Sequence, residues 1–317
     1  MPLVSARVQL GRNVALLVAV IALVAVIAIA GGGIYWHRIR EPARPSDLIS
    51  LLPAADASVV YIDVDAIRRS GILNMLAGSK ASEDPDYRQF VSDTGFDYRQ
   101  DLDAIAVALK DGRIYFALGG RFHWKNLAEY AVHQGGSCHN DFCVVSGSRP
   151  DRRISFYLVR RNVLAMAVSP DDFGAYQVSV RPGKTPSMPP QEPVWAMIPA
   201  AALQQMNSVP DAARAYVPAL RGAEQLVFSI GANSDRQLQL GLHVTCKDAP
   251  AATILLSQLE SITKALRKLM AHQRQKPDPA DLSAVLVAGS FHRDERQVYG
   301  AWPIPKAFVD SVTGSVY

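Results

Sequence analysis

The sequence lacks the motifs that mark the common catalytic sites. It contains no G-x-S-x-G nucleophile elbow, no Walker loop, no dinucleotide fingerprint and no H-E-x-x-H helix. Two pairs of acids flank predicted strands. Such pairs can act in acid–base chemistry or bind a hard cation, but at strand ends they ordinarily cap helices or form turns. These acids are Asp63 with Asp65, and Asp101 with Asp103. We therefore assign no catalytic residue, no metal site and no cofactor, and do not expect an enzyme.

Charge is also scarce. Charged residues make up 20% of the chain, and the formal net charge is +4 over 317 residues. No basic run interleaves with aromatic residues, so nucleic acid is not an expected partner. Hydrophobic residues reach 49%, which is too apolar for a disordered chain and predicts a globular domain.

The chain does contain one long apolar run. Residues 14–30 are unbroken apolar, and residues 14–36 carry no charge, which as a helix gives about 35 Å. That length crosses a hydrocarbon core of about 30 Å, so we predict a transmembrane helix in contact with the lipid bilayer. Residues 1–13 then form a cytoplasmic tail and residues 37–47 a stalk. A cleaved signal peptide is the alternative, since Ala28-Ile29-Ala30 resembles a cleavage site.

Only three cysteines are present, and two of them flank a four-residue polar turn. Cys138 and Cys143 would lie opposite one another in a hairpin, close enough for a disulfide. Two free thiols are an alternative, and so is a metal site with His133 and His139, although the spacing is not typical of zinc. A disulfide indicates an oxidising compartment.

The disulfide interpretation decides the predicted orientation. Basic residues on the two sides of the apolar run nearly balance, so the positive-inside rule alone does not orient the chain. With the disulfide, we expect a single-pass protein of the bacterial inner (cytoplasmic) membrane. Its N-terminus lies inside and the bulk of the chain is extracytoplasmic.

A proline-rich segment divides the rest of the chain. Residues 179–193 contain five prolines, which is typical of a linker, between a first domain at 48–178 and a second at 194–317. Each part predicts an element order close to β-α-β-β-α-β-β. The predicted class is α+β, with antiparallel or mixed sheets and helices on one face of each. The shared order favours a tandem duplication of two similar subdomains.

Several individual elements can be placed. We predict a helix at 65–76 that Asp65 caps, and helices at 124–133, 200–206 and 249–272. Asp248 is expected to cap the last of these, and its buried stripe comprises Leu255, Leu259, Ile262, Leu266 and Leu269. Residues 284–288 and 297–302 are predicted strands, and Cys246 is predicted to be a buried apolar residue.

Three segments of the first domain resemble a group of uncharacterised bacterial membrane-anchored proteins of unknown function. They are residues 51–73 (LLPAADASVVYIDVDAIRRSGIL), residues 90–103 and residues 162–172 (NVLAMAVSPDD). The resemblance covers mainly residues 48–178. It implies an anchored extracytoplasmic domain and brings no catalytic residue with it.

The favoured function is a membrane-tethered, non-catalytic module that binds another envelope protein or component. The alternatives are a sensor or carrier with a small-molecule pocket between the domains, and an unrecognised hydrolase or metal-dependent enzyme. His123 and His292 each follow an aromatic residue at a strand end and would line a cleft between related domains. An exposed apolar patch would favour the first function, and a deep cleft with convergent polar groups the second.

Overall fold

The computed structural model describes residues 44–69, 85–149, 151–180, 190–200, 202, 215–220, 222–233, 237–272 and 278–314. Its strands are β1 Ser58–Asp63, β2 Leu102–Lys110, β3 Arg113–Gly120, β4 Ser137–His139, β5 Phe142–Ser146, β6 Arg153–Arg160, β7 Val163–Ser169, β8 Val194–Pro199, β9 Gln225–Ala232, β10 Leu238–Thr245, β11 Ser290–Asp294 and β12 Gln297–Pro303. The helices are α1 Pro45–Ser50, α2 Val64–Arg69, α3 Pro85–Thr94, α4 Tyr98–Asp101, α5 Trp124–His133, α6 Gln177–Val180, α7 Val217–Leu220, α8 Ala249–His272, α9 Leu282–Val287 and α10 Lys306–Gly314. A 3₁₀ turn at Gly174–Tyr176 precedes α6.

The strands form one twelve-stranded sheet in the order β11-β12-β10-β9-β8-β1-β2-β3-β7-β6-β5-β4. Every neighbouring pair is antiparallel. The predicted α+β class with an antiparallel sheet is therefore confirmed. Residues 14–36 lie outside the described residues, so the membrane helix stays a prediction. None of the helices that the structure describes combines the length and the apolar composition needed to span a bilayer.

The two predicted domains share this sheet. β1 pairs with β8, and Tyr61 lies opposite Trp195 at the junction. The first part contributes the order β1-β2-β3-β7-β6, and the second the matching order β8-β9-β10-β12-β11. A long helix follows the third strand of each part, α5 in the first and α8 in the second. The first part carries an additional hairpin, β4–β5, at the outer edge of the sheet.

The sheet has a front face, to which Tyr61 and Trp195 point, and a back face, to which Ile62 and Val194 point. In the first part both faces are covered, because β1 to β3 carry apolar side chains on both. Leu48 of α1 and Val178 of α6 are buried on the front, and Ile67 of α2 is buried on the back. The prediction of helices on one face is therefore corrected for this part.

In the second part, the buried helical side chains lie on the back face. Leu220 of α7, Leu255 and Leu259 of α8 and Val285 of α9 form one cluster with alternate residues of β9, β10 and β12. Cys246 is buried in the same cluster, as predicted. On the front face, Trp195 and Met197 of β8 join the apolar cluster of the first part. The front-face side chains of β9 to β12 are mainly polar or small and belong to none of the buried apolar clusters of the described residues.

Local sequence signals set several helix starts. The helices Trp124–His133 and Ala249–His272 have the predicted bounds, and the Asp248 carboxylate accepts a hydrogen bond from Ala251 N at 2.8 Å. Leu269 is 54% exposed, so the predicted buried stripe ends before it. Asp63, not Asp65, caps α2, since Ala66 N donates to Asp63 Oδ1 at 2.6 Å.

One predicted strand is wrong. Residues 284–288 belong mostly to helix α9, which Asp281 caps through Ser283 N at 3.0 Å. Val285 and Leu286 are adjacent buried residues, a pattern that fits one face of a helix against the sheet and not the alternation of a strand. The strand of this region is β11, which begins at Ser290.

Candidate functional site

A disulfide closes the outermost hairpin of the sheet. Cys138 of β4 and Cys143 of β5 are paired across the strands, with Cα atoms 4.1 Å apart, and their sulfur atoms are bonded. Asn140 adopts a positive φ of 45° in the turn between them, which asparagine tolerates. The predicted disulfide is confirmed. Because both sulfur atoms are used in this bond, neither is a metal ligand.

Removing this bond should weaken the fold measurably. We expect the double variant Cys138→Ser, Cys143→Ser of the full-length chain in detergent to lose about 2 kcal/mol of unfolding free energy, the entropy of closing a loop of roughly six residues. Chemical denaturation measures it, and the parent chain with reductant should match the variant. An unchanged denaturation midpoint would show that the bond does not constrain the hairpin.

Four aromatic rings form what we call the aromatic patch, on the front face beside this hairpin. Its members are Phe142, Tyr157, Phe173 and Tyr176. Phe142 is 7% exposed and lies 4.3 Å from the Tyr176 ring and 5.8 Å from the Phe173 ring, measured between centroids. Phe173 is 61% exposed and Tyr176 is 43% exposed. Two rings thus rest on a buried ring and face outward.

Hydrogen bonds fix the turn that carries the outer rings. Phe173 N donates to the Asp171 carboxylate at 2.9 Å, and Asp171 N donates to Ser169 Oγ at 3.2 Å. Ala175 N donates to the fully buried Ser155 Oγ of β6 at 2.9 Å. Since these backbone donors have side-chain acceptors, the turn has a defined geometry without belonging to a strand.

The patch is bounded by paired charges. Arg153 Nε lies 3.1 Å from Asp172 Oδ1, beside Phe173 in sequence. Arg160 Nη2 lies 4.0 Å from Asp47 Oδ2, which joins the end of β6 to α1. An apolar centre with a charged, solvent-exposed rim is the anatomy of an interaction surface.

A second feature lies on the front face of the second part. The rings of His243, Tyr299 and His292 stack side by side across β10, β12 and β11. The Tyr299 centroid lies 4.7 Å from that of His243 and 4.9 Å from that of His292, with interplanar angles of 11° and 12°. The Tyr299 hydroxyl donates to the Gln297 side chain. His243 Nε2 is buried without a hydrogen-bond partner, and His292 is exposed at the sheet edge.

The two predicted cleft histidines lie in different places. His123 immediately precedes α5, just after β3, whereas His292 lies on β11. Six strands separate β3 from β11, which corresponds to roughly 30 Å across the sheet. The structure therefore does not bring them together.

One acid of each predicted pair, Asp65 and Asp101, belongs to an ion-pair network. Arg68 contacts Asp65 Oδ1 at 3.1 Å and also donates to Leu102 O at 2.6 Å. Arg121 contacts Asp101 Oδ1 at 2.9 Å. These bonds tie α2 and β3 to the chain that leads into β2. Within the described part of the chain, no group of three or more His, Cys, Asp or Glu residues is arranged to hold a metal ion.

Asp103 has an altered pKa within this network. It lies at a register shift between Leu102 and Ala104. Burial raises its pKa, the Arg121 and Arg68 guanidinium groups oppose this, and the carboxylates of Asp65 and Asp101 add to it. A raised folded-state pKa gives stability that is present below the unfolded value and lost as pH rises through the folded value.

Asp103→Asn should therefore stabilise the fold near neutral pH. We expect the variant to exceed the parent in melting temperature at pH 7, with the difference vanishing toward about pH 3, below the ordinary aspartate pKa. Thermal unfolding of the full-length chain against pH measures this. Asp101→Asn is the control and should destabilise at pH 7. Its two carboxylate oxygens accept from Arg121 and from Asp97 N, and the change removes the charge and turns one of these acceptors into an amide donor. A destabilised Asp103→Asn at pH 7 would contradict the sign.

A cleft opens where the two parts of the sheet meet. It has a volume of about 410 Å³, and Tyr61, Asp63, Pro193 and Ala232 are among its lining residues. Burial, and then the neighbouring Asp63 carboxylate, raise the pKa of Tyr61. Asp63 already caps α2, and the other polar lining residues, Gln191 and Glu192, are exposed. The polar groups of the cleft therefore do not converge on one point.

The described residues thus define an α+β protein built on one antiparallel sheet, with a preorganised aromatic patch beside a disulfide hairpin. No protein-family model matches the chain, and no curated protein matches it.

Two solved structures are similar to it at 10% identity, crystal forms IV and III of TP0453. The form IV comparison has a TM-score of 0.42 and covers 85% of this chain and 97% of that chain. The form III comparison has a TM-score of 0.46 and covers 84% and 98%. At this level the similarity carries no assignment of function.

The aromatic patch was not predicted from the sequence. Phe173 and Tyr176 lie in the segment SPDDFGAY, whose residue types are typical of a turn after a strand. Two aromatic residues in a polar turn were the available signal. Their exposure depends on Phe142, about thirty residues earlier in the chain, whose position requires the tertiary pairing of β5 with β6.

Proposed function

We propose that this protein is a non-catalytic binding module of the bacterial envelope. Residues 14–36 hold it in the inner membrane as a single-pass protein, with its N-terminus inside and the α+β part extracytoplasmic. The aromatic patch carries the proposal, and its outer rings bind an envelope component. Single exposed apolar residues are ordinary, but adjacent exposed rings on a fixed turn are typical of an interaction site.

The disulfide supports the proposed compartment. Cys138–Cys143 lies at the outer edge of the sheet, and such bonds persist in oxidising surroundings and are rare in the cytosol. The third cysteine, Cys246, is buried and free. An extracytoplasmic position accounts for both states.

We also infer a tandem duplication. The matching strand orders of the two parts support it, as does the long helix after the third strand of each. The β4–β5 hairpin is the element that the second part does not match in this order, and Phe142 of the patch lies on it. The proposed binding surface is therefore built on an addition to the repeated unit.

Site-specific photocrosslinking tests the function. A benzoylphenylalanine at position 173 of the full-length chain in cells should give a crosslinked envelope component, protein or lipid. Val132 of α5 is the matched control, since it is 54% exposed but lies on a helix whose Trp124 packs against Phe156 on the back face. Equal products at both positions, or none at position 173, would contradict the proposal.

The second candidate is a sensor or carrier of a small molecule, and the cleft is the place to test it, although its polar groups do not converge on one point. Its position between the two parts and its volume of about 410 Å³ suit a metabolite. A metabolite that raises the melting temperature of the parent, and not of an Ala232→Trp variant whose side chain fills the cleft, would support this function over the first.

A further inference from the structure

We infer that the aromatic patch binds the lipid surface of the membrane in which residues 14–36 are anchored. This inference rests on the proposed function and names the partner of the same surface. The patch would lie against the bilayer from which its own chain emerges, and so would fix the orientation of the sheet above it.

The connection to the membrane is short. Eight residues, 37–44, separate the end of the apolar run from Pro45, where α1 begins. Fully extended, eight residues span at most about 28 Å. The start of α1 therefore stays within that distance of the bilayer surface.

The patch lies on the same face of the sheet as α1. Leu48 and Ile49 of α1 belong to one buried cluster with Phe142 and the partly buried Tyr157 of the patch. α1 packs over β1 to β3, and Tyr157 lies on β6, three strand positions from β2. Three strand spacings amount to about 14 Å, which is less than the reach of the connection.

The exposed groups are those that bilayer interfaces favour. Aromatic side chains combine an apolar ring with, in tyrosine, a polar tip, and they concentrate at the level of the lipid headgroups. Two ion pairs lie nearby, Arg153 with Asp172 and Arg160 with Asp47, and the Asp171 carboxylate accepts a hydrogen bond from Phe173 N. Among the described residues, the nearby charges include no cluster of basic residues that would bind anionic lipid. Binding should therefore depend on burial of the rings and change little with salt or lipid charge.

The area of the patch favours lipid over a protein. An aromatic side chain buries about 150–250 Å² in full, so two partly exposed rings fall short of the roughly 800 Å² per partner of a stable protein interface. A tethered surface needs less, because the tether keeps the membrane at high effective concentration.

Fluorescence quenching by brominated lipid tests the inference. The full-length chain with Phe173→Trp is placed in vesicles of phosphatidylethanolamine and phosphatidylglycerol, with and without bromine on the acyl chains. The emission that the new tryptophan adds to that of the parent should be lower by roughly twofold or more in the brominated vesicles. This quenching should not change with salt concentration. Val132→Trp, matched in exposure, should keep its added emission. Adding Tyr176→Ser to Phe173→Trp should reduce the quenching.

Measurements on the parent chain distinguish the membrane tether from the contact of the patch with lipid. The chain has four tryptophans, and the Trp36 contribution is the parent emission that a Trp36→Phe variant lacks. Its quenching reports the tether independently of the patch. If the Trp36 contribution is quenched and the Phe173→Trp emission is not, the lipid inference is overturned and the tether stands. A protein crosslinked at position 173 would then be the partner. If neither is quenched, the tether itself fails.

Discussion

Replacing Trp195 with alanine is expected to lower the free energy of unfolding by about 3–5 kcal/mol, the usual cost of deleting a large buried ring. Trp195 is 1% exposed and packs against Tyr61 with ring centroids 5.6 Å apart. It lies on β8, opposite Tyr61 of β1, so its ring fills the front-face core at the junction of the two parts. The cavity would open where the sheet halves are joined.

Thermal and chemical denaturation of the full-length chain in detergent measure this loss. A shift in melting temperature of roughly 10 °C corresponds to it for a domain of this size. Trp195→Phe is the control, because it keeps an aromatic ring against Tyr61 and should cost clearly less. A loss below about 1 kcal/mol for Trp195→Ala, as expected of a surface site, would show that the junction is not packed as described.

Phe142→Ala is expected to cost about 3 kcal/mol and to release the outer rings of the patch. Phe142 contacts the rings of Tyr157, Phe173 and Tyr176 and is nearly buried beneath them. Without it, the 3₁₀ turn retains its hydrogen bond to Ser155 but loses its apolar support. Hydrogen exchange at Ala175 N should therefore accelerate together with the loss in stability.

Phe173→Ala provides the matched comparison within the same patch. Because Phe173 is mostly exposed, its truncation should cost less than about 1 kcal/mol while removing the proposed contact with lipid. Equal losses for the two variants would contradict the assignment of Phe142 as support and Phe173 as contact.

The helices that the sequence predicted best are those whose signals are local. Helix Ala249–His272 has an aspartate cap, a proline in its first turn and an apolar stripe, and each of these acts within a few residues. The strand prediction at 284–288 was wrong because a short apolar run fits a strand and a buried helix equally well. The Asp281 cap, which was visible in the sequence, was the signal that distinguishes them.

Strand pairing between distant parts of the chain could not be predicted from the sequence. The repeated element order predicted two similar parts, but the antiparallel pairing of β1 with β8 joins residues more than a hundred positions apart. The aromatic patch also depends on long-range strand pairing and was therefore not predicted. For the same reason His123 and His292, which were predicted to share a cleft, lie far apart in the structure.

The disulfide was predicted because a short hairpin turn places the flanking cysteines opposite one another by local geometry. The turn is shorter than predicted, since His139 and Phe142 also pair across the strands and leave only Asn140 and Asp141 in it.

The proposed function places the α+β part outside the cytoplasm, on a chain anchored by residues 14–36. Protease treatment of intact spheroplasts that express the full-length chain with an N-terminal tag tests this directly. We expect the described part to be digested and a short, tag-bearing fragment to remain in the membrane through carbonate washing. A full-length chain that resists protease until the spheroplasts are lysed, or that carbonate releases, would contradict the account.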